Sequence, residues 1–403
     1  MLAQAFGPLT GTIRLIKLQP LLPERLASPD PAMTAAAPIK TVLKDFLAVP
    51  HRIYQDDPHW VAPLNLERTQ ALAPAHPFFA HARWQAWVAY RDERPIGRIS
   101  AQIDALHREH HDDHAGYFGM LEAEDDPLLF AALFTQAEQW LQSQGIERVV
   151  GPLNLGMNQE LGLLTQGFDS PPYFMMPHGR RYYPQAVAAC GYQVAQTLYA
   201  YVIPPKFEAP PVMQRVLQSQ AHRIRLRPLQ RRRLKQDLQI LRTIFNDAWA
   251  NNWGFVPFTE AEFRALGSEL ALLLPAEYIQ IAYFDDEPAA FIVMLPNINE
   301  AIADLRGSLL PLGWLKALWR LKVRHPGTAR VPLMGVKRAF QKGRTGSALA
   351  FGLIDKVRKA AANRGVTAVE MSWILESNGG MRNLATTIGG TVNKQYQMFD
   401  KWL

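Results

Sequence analysis

One pattern of apolar and polar positions occurs twice in the chain, and five of its eleven residues are identical in the two copies. Residues 89–99 and residues 282–292 each contain an apolar run, an acidic turn and a second apolar run. This arrangement is typical of a β-hairpin. The repeat predicts two related halves, with a chance resemblance between two mixed α/β domains as the alternative. The identical pairs are Ala89/Ala282, Tyr90/Tyr283, Asp92/Asp285, Pro95/Pro288 and Ile99/Ile292.

Helical periodicity follows each hairpin. Asp126 before Pro127 predicts one helix start, because Asp is a good N-cap and Pro suits the first turn. A second helix is predicted from Thr345, and Gly145 and Gly365 end the two apolar stripes. A strand, a short helical segment and a strand led by glycine then follow in each half. The predicted fold class is α/β (α+β): two tandem domains, each a mixed, mostly antiparallel twisted sheet flanked by helices.

The length and the proline content predict the domain boundaries. A chain of 403 residues is too long for one ordinary core. The Pro-rich stretch 204–211 is a natural connection between the halves. The N-terminal residues are rich in Pro and Ala, with weak periodicity. The predicted division is a flexible extension (1–37), a first domain (38–205), a linker (206–218) and a second domain (219–403).

Composition and charge narrow the function classes. Hydrophobic residues make up 48% and charged residues 20%, as in globular proteins. A net charge of +7 favours anionic partners, of which nucleic acid is the least favoured, because the basic run 231–233 leads into a helical pattern. The single Cys190 excludes intramolecular disulfides and Cys-based zinc sites, and it favours a cytoplasmic location. No metal ion is predicted.

A loop with glycines and cations lies between a predicted strand and the second-half helix. Residues 341–347 read Gln-Lys-Gly-Arg-Thr-Gly-Ser. A helix N-terminus presents unpaired N–H groups and positive charge, and glycines let the backbone approach a phosphate closely. The pattern predicts a pyrophosphate site, with a simple strand-to-helix turn as the alternative. The corresponding first-half segment, 122–126, is acidic and would repel phosphates, so one cofactor site is predicted.

These motifs resemble the GNAT (Gcn5-related N-acetyltransferase) superfamily, whose acyl-CoA loop reads Gln/Arg-x-x-Gly-x-Gly/Ala. Gln341 and Gly346 fit that motif, whereas Arg344 replaces its middle glycine. From about residue 40 to 403 the chain resembles bacterial tandem GNAT acyltransferases. The resemblance implies acetyl-CoA or a longer acyl-CoA as co-substrate. It also implies a tyrosine that protonates the departing thiolate, but Ala385 stands at that position. The implied cofactor-binding residues are Gly335, Val336, Gln341, Lys342, Gly343, Arg344, Thr345, Gly346, Ser347 and Asn378.

Acyl transfer to an amine requires a base for the ammonium proton. Glu376, beyond the strand that follows the cofactor helix, is one predicted catalytic residue, although a surface glutamate at a strand end would look the same. The other is Glu160, in the Gly/Pro-rich first-half loop 154–181. This loop is predicted to form a wall of the substrate cleft between the halves, although each of its residues can equally be structural. The predicted substrate-contacting residues are Asn154, Asn158, His178, Trp253, Trp373 and Tyr396.

Segment 309–324 is amphipathic and basic, which suits a helix on an anionic membrane or around an acyl chain. A domain helix with a solvated basic edge is the alternative. The segment favours a lipid-like amine acceptor, and some sphingoid-base N-acyltransferases are also similar to GNAT proteins.

The hypothesis for the whole protein is an acyl-CoA-dependent N-acyltransferase. Two alternatives remain: an aminoacyl transferase of the peptidoglycan type, which uses aminoacyl-tRNA, and a non-catalytic membrane- or ligand-binding protein.

Overall fold

The computed structural model describes residues 12–18 and 39–403, in which thirteen strands form one long sheet. Residues 13–18 of the predicted flexible extension form an edge strand, so the prediction of a flexible segment does not hold there. The rest of the predicted extension, 1–11 and 19–37, lies outside the described residues.

Strands and helices are interspersed along the chain. The strands are β1 (Ile13–Leu18), β2 (Ala82–Arg91), β3 (Arg94–Asp104), β4 (Ala115–Ala123), β5 (Arg148–Gly151), β6 (Leu153–Asn154), β7 (Glu160–Leu161), β8 (Leu163–Gln166), β9 (Gln193–Ile203), β10 (Ile224–Pro228), β11 (Ile279–Phe284), β12 (Glu287–Pro296), β13 (Thr328–Val336), β14 (Ala368–Leu375) and β15 (Thr391–Trp402). The helices are α1 (Ile39–Ile53), α2 (Asn65–Ala71), α3 (Ala105–His110), α4 (Pro127–Ser143), α5 (Tyr183–Ala189), α6 (Pro211–Gln220), α7 (Leu234–Trp249), α8 (Glu260–Leu273), α9 (Ile298–Ile302), α10 (Gly313–Trp319), α11 (Arg338–Gln341), α12 (Gly343–Asn363) and α13 (Gly379–Thr387).

The repeated pattern forms two equivalent hairpins, β2–β3 and β11–β12. Their turns have nearly the same backbone: φ is 49° and 63° at Asp92 and Glu93, and 46° and 64° at Asp285 and Asp286. Two consecutive residues with positive φ are the mark of a type I′ turn, whose twist matches that of the strands. The predicted hairpins, the helices that follow them and the predicted fold class are confirmed.

The last strands of the two halves are exchanged. The sheet runs β1-β2-β3-β4-β5-β15-β9-β14-β13-β12-β11-β10, with β8 also pairing with β15. Thus β9, from the first half, pairs with β14 of the second, and the C-terminal β15 pairs with β5 of the first. Residues 211–218 of the predicted linker belong to α6, whose Met213 is fully buried. The halves are therefore joined through the middle of one sheet.

Helices cover both faces of the second-half sheet. Along β12, Ala290, Ile292 and Met294 lie in one apolar core with α12. The alternate residues Phe291 and Val293 lie in a second core, with α7 and α8. This follows from the two-residue period of a strand. In the described ranges, 12–18 and 39–403, no helix is long and apolar enough to cross a membrane.

An ionic bridge at His81 joins the two halves. Its Nδ1 lies 2.9 Å from Oδ1 of Asp104, and its Nε2 lies 3.2 Å from Oε1 of Glu262 on α8. Burial of the ring opposes protonation, but the hydrogen bonds and charges of the two carboxylates outweigh it. They raise the pKa of His81 to about 9. The imidazolium therefore links the halves at neutral pH.

This bridge makes stability depend on pH. The folded-state pKa of His81 exceeds the unfolded value near 6.5, so its stabilisation is complete below about pH 6.5 and lost as the pH rises to about 9. We expect His81→Gln to lower the free energy of unfolding by about 2 kcal/mol at pH 6 and by much less at pH 9.5. Urea unfolding at both pH values measures this difference. An equal loss at both would show that the imidazolium charge is not the cause.

Candidate active site

The parallel strands β13 and β14 open into a gap in the second half. They are paired from Thr328–Ala368 to Val331–Met371, and they separate after this last pair. The end of β13 remains paired with β12, as far as Val336. Where two paired strands separate, backbone N–H and C=O groups become available to an extended ligand. The gap is thus suited to a chain-like group with amides.

Helix α12 begins with a cationic turn. Its N-cap is Lys342, whose side chain makes no capping hydrogen bond. Lys342, Gly343 and Arg344 are exposed, and Gly343 has φ of 73°. A Cβ on Gly346 would lie 2.3 Å from the carbonyl oxygen of Gln341, so the turn requires glycine there. The first turn presents uncapped N–H groups beside two cations, which suits a phosphate. The other predicted cofactor residues in this turn are Thr345 and Ser347.

Other predicted cofactor residues hold the backbone in place. Gln341 Nε2 donates to the carbonyl oxygen of Val336 at 2.9 Å, which ties the loop to the end of β13. A Cβ on Gly335 would lie 2.3 Å from the Trp249 ring, so no side chain fits there. Asn378 caps α13 by accepting a hydrogen bond from the N–H of Met381 at 3.0 Å. These three residues fix the backbone around the gap.

The equivalent gap in the first half is filled by the protein itself. Strands β4 and β5 are parallel and paired over three residues only. Beyond them, Gln102 Nε2 donates to the carbonyl oxygens of Leu153 at 2.6 Å and Leu155 at 3.1 Å. The N–H of Met120 on β4 donates to Oδ1 of Asn154 at 2.8 Å. Residues 153–155 therefore fill the first-half gap, whereas the equivalent backbone groups in the second half remain available.

Close packing at Gly119 offers a test of this filled gap. A Cβ there would lie 1.7 Å from the carbonyl oxygen of Leu153. Because this oxygen belongs to the backbone, it cannot move freely to make room. We expect Gly119→Ala to reduce the free energy of unfolding by about 3 kcal/mol or more. Gly379→Ala is the matched control, because nothing lies within 4 Å of its added methyl group. Equal unfolding midpoints for both variants would contradict the packing.

The two helix starts differ in charge. Asp126 caps α4 by accepting a hydrogen bond from the N–H of Leu128 at 2.9 Å. Arg91 forms ion pairs with Asp126 and Glu124. In the first half, carboxylates thus occupy the positive end of the helix, whereas in the second half this end bears cations without a cap.

The first-half loop 154–181 covers the second-half sheet on the side of α7. Asn158 Nδ2 donates to the carbonyl oxygen of Val256 at 2.9 Å. Asn297 Oδ1 accepts from the N–H of Phe174 at 3.0 Å. Arg330 Nη1, on β13, donates to the carbonyl oxygen of Phe174 at 2.9 Å. This loop therefore lies against the second half, and its role as a wall of a substrate cleft stays a prediction.

Beneath this loop lie two buried ionisable residues that the sequence analysis missed. Arg330 and Glu370 are register neighbours on β13 and β14, and both are fully buried. Arg330 stacks on Trp373 at 4.4 Å and donates through Nε to Ser372 at 2.8 Å. Burial raises the pKa of Glu370, although Arg330 acts in the opposite direction. Among the described residues, Arg330 Nη2 and the Tyr396 hydroxyl have no hydrogen-bond partner. The sequence signal that could have revealed them is an ionisable residue inside each of two apolar strands.

Several predicted substrate residues gather near this pair. Trp253, Trp373 and Tyr396 belong to one apolar cluster. Glu160 forms an ion pair with Arg68 and accepts from Asn154 Nδ2 at 3.0 Å. Burial opposes ionisation of Glu160, but the charge of Arg68 outweighs it and lowers its pKa. Such a carboxylate is a weak base near neutral pH, so these contacts favour a structural role.

His178 is held by Asp57, on the first-half side of the loop. Its Nε2 lies 3.0 Å from Oδ2 of Asp57, and burial lowers its pKa. The buried ring packs near Tyr54, with ring centroids 5.6 Å apart. These contacts stabilise the loop.

Glu376 lies at the carboxyl end of β14 and is exposed. The Tyr199 hydroxyl donates to its Oε1 at 3.0 Å. Tyr199 belongs to β9, so the strand exchange places a first-half side chain beside the end of the second-half gap. Ala385, at the position of the family's tyrosine, is fully buried in α13.

A cavity of about 820 Å³ lies elsewhere, in the first half. Its lining is largely apolar and includes Leu18, Leu43 and Trp140, with Arg83 and Arg108 also present. None of the predicted site residues lines it. The cavity is therefore separate from the predicted active site.

Comparison with known proteins establishes first the fold and then the family. A tandem GNAT protein from the clavulanic acid biosynthesis pathway matches with a TM-score of 0.53 at 11% identity, over 97% of this chain and 98% of that one. The protein has the tandem GNAT fold. No family model matches.

Two full-length relatives define the family. Protein YghO of Escherichia coli K12 is 48% identical over 363 residues, which is 90% of this chain and 93% of that protein. The bacterial ceramide synthase of Caulobacter vibrioides is 45% identical over 371 residues, which is 91% of this chain and 97% of that protein. The chain belongs to the family of these two proteins.

Proposed function

We propose that the protein is an acyl-CoA-dependent N-acyltransferase whose acceptor is a long-chain, lipid-like amine of the sphingoid-base type. The single observation that supports this most is the contrast between the two gaps. The second-half gap is open and lies next to an uncapped cationic helix start, whereas residues 153–155 fill the first-half gap. One acyl-CoA per chain follows from this contrast.

The second half suits acyl-CoA in both charge and shape. Lys342, Arg344 and the uncapped N–H groups of α12 face the pyrophosphate in this proposal. The free edge of β13 pairs with the amides of the pantetheine arm, as an added strand would. Gly335 and Val336 lie at the end of that edge, where N–H groups can hold the thioester oxygen.

The acceptor enters from the side covered by the first-half loop. The amine nitrogen forms a bond to the thioester carbon, the carbon–sulfur bond breaks, and the ammonium proton passes to a base. The departing thiolate takes up one proton. Arg330 Nη2 can donate a hydrogen bond to an acceptor's polar head, and the Tyr396 hydroxyl can donate or accept one, because both are unpaired among the described residues.

The family supports the proposed acceptor class. A ceramide is an N-acylated sphingoid base, and one relative is named bacterial ceramide synthase. The exposed apolar surface at residues 310–323 also suits an enzyme that draws its substrate from a lipid phase. These observations favour a sphingoid base over a small polar amine.

The test is a panel of acceptors and donors. Purified protein is incubated with acetyl-CoA or palmitoyl-CoA and with sphinganine, octylamine or spermidine, and free thiol and N-acyl product are measured. We expect thiol release and an N-acyl product only with the long-chain amino alcohol. Thiol release with spermidine alone would overturn the lipid acceptor. If no donor–acceptor pair releases thiol, the proposal that the protein is a transferase would be overturned.

Glu376 is proposed as the base, because it lies at the open end of β14, beside Tyr199. We expect Glu376→Gln to lower kcat by about a hundredfold, while the Kd for acyl-CoA stays unchanged. Glu67→Gln, at another exposed carboxylate, is the control and should keep full kcat. A normal kcat in Glu376→Gln would remove this residue from the mechanism.

A further inference from the structure

An exposed apolar surface lies on α10 and the residues beside it. Among the described residues, seven of the thirteen exposed large hydrophobic side chains fall within residues 310–323. Trp314 is 48% exposed and Trp319 is 54% exposed. Concentrated exposure of this kind marks an interaction site. The seven residues, called here the apolar surface, are Leu310, Leu312, Trp314, Leu315, Leu318, Trp319 and Val323.

The inner side of this segment is firmly attached to the protein. Ala317 is buried in a small apolar cluster with Ile298 and Ile302, and Leu309 and Leu321 pack against it. Asp304 forms ion pairs with Lys316 and Arg320. The apolar surface is therefore the outer face of a packed element, presented in a fixed orientation.

The charge around the apolar surface is mainly positive. Residues 304–325 contain five basic residues and one acidic residue, Asp304, which pairs with Lys316 and Arg320. Tryptophan prefers the boundary between water and lipid, and basic residues near that boundary are attracted to anionic headgroups. The combination of exposed tryptophans, leucines and cations matches a lipid surface in both polarity and charge. The basic residues are Arg306, Lys316, Arg320, Lys322 and Arg324.

A single small apolar cluster separates the apolar surface from the first-half loop that covers the side where the acceptor is proposed to enter. Phe174 of the first-half loop packs against the same small cluster that anchors α10. Asn299 of α9 donates through Nδ2 to the carbonyl oxygen of Pro172 at 2.8 Å. Phe174 also accepts a hydrogen bond from Arg330. A lipid surface at α10 would therefore lie next to the loop that covers the acceptor side.

We propose that the apolar surface docks the protein onto an anionic lipid bilayer, with Trp314 and Trp319 at the headgroup level. Basic residues around it add electrostatic attraction to the apolar contact. Docking is a property of the surface alone, so it can be measured without acyl-CoA, acceptor or turnover. Failure of docking and failure of the proposed activity are thus distinguishable.

The test is co-sedimentation of the full chain with vesicles. We expect binding to phosphatidylcholine vesicles with about one-third phosphatidylglycerol, and weaker binding to pure phosphatidylcholine or at high salt. The double variant Trp314→Ser/Trp319→Ser should bind the anionic vesicles about tenfold more weakly or worse. Leu128→Ser/Trp402→Ser removes exposed apolar groups elsewhere, at side chains that are 74% and 65% exposed, and should bind normally.

Three results would overturn the proposal. The first is that the wild-type protein does not sediment with anionic vesicles. The second is an equal loss of binding in the two double variants, which would mean that any exposed apolar group suffices. The third is a wild-type dimer in sedimentation velocity that becomes a monomer in Trp314→Ser/Trp319→Ser, with vesicle binding unchanged. That result would make the apolar surface a contact between two copies.

Discussion

Reversing two charges at the start of α12 should raise the Kd for acyl-CoA by about a hundredfold or more. The variant is Lys342→Glu/Arg344→Glu. Both side chains are exposed, and neither forms an ion pair with another described residue, so the change should not disturb the fold. It replaces attraction to the pyrophosphate by repulsion at the uncapped N-terminus of the helix. Isothermal titration with acetyl-CoA and palmitoyl-CoA measures the effect.

The matched control reverses two exposed charges away from the gap. Lys235→Glu/Lys356→Glu changes the net charge by the same amount, and Lys356 lies on α12 itself. We expect this control to bind acyl-CoA with nearly the wild-type Kd at physiological salt, where distant charges are screened. Equal weakening in both double variants would show a general effect of net charge. Unchanged affinity in Lys342→Glu/Arg344→Glu would place the phosphates elsewhere.

Separating the halves should have the largest effect on folding. A fragment of residues 1–208 lacks β15, so β5 loses its neighbour, and a fragment of residues 209–403 lacks β9, so β14 loses its neighbour. Both missing strands are central in the sheet, and Tyr396 and Met398 of β15 are fully buried. We expect neither fragment alone to give a soluble monomer with a cooperative thermal transition, because unpaired central strands aggregate.

Co-expression is the control for this experiment. Each fragment supplies the strand that the other lacks, so the pair should purify as a one-to-one complex that still binds acyl-CoA. The measurement is size-exclusion chromatography with light scattering, followed by thermal unfolding. A single fragment that remains monomeric and unfolds cooperatively would contradict the structural importance of the exchange.

The hairpins and helix starts could be predicted because their signals are local. An acidic two-residue turn between apolar runs fixes a hairpin, and Asp126 before Pro127 fixes a helix start within a few residues. The open loop of α12 was found for the same reason: Gly343 and Gly346 are sequence neighbours of the cations. Charged residues and glycines that lie close together in the sequence also lie close together in the structure, so their combined effect can be predicted.

The strand exchange and the filled first-half gap could not be predicted, because they depend on contacts between distant residues. β9 pairs with β14, and β15 pairs with β5, so each pairing joins strands that lie far apart along the chain. The hydrogen bond from Met120 to Asn154 joins residues 34 positions apart. Asn154 was therefore predicted to contact substrate, whereas it occupies the first-half gap. The pair Arg330 and Glu370 was missed because each charge is isolated in an apolar run.

The number of acyl-CoA molecules bound per chain measures the asymmetry between the two halves. Equilibrium dialysis with radiolabelled palmitoyl-CoA at saturating concentration gives this number for the full chain. We predict one molecule per chain, lost in Lys342→Glu/Arg344→Glu. Two molecules per chain, or one that persists in that variant, would contradict an account in which only the second-half gap receives acyl-CoA.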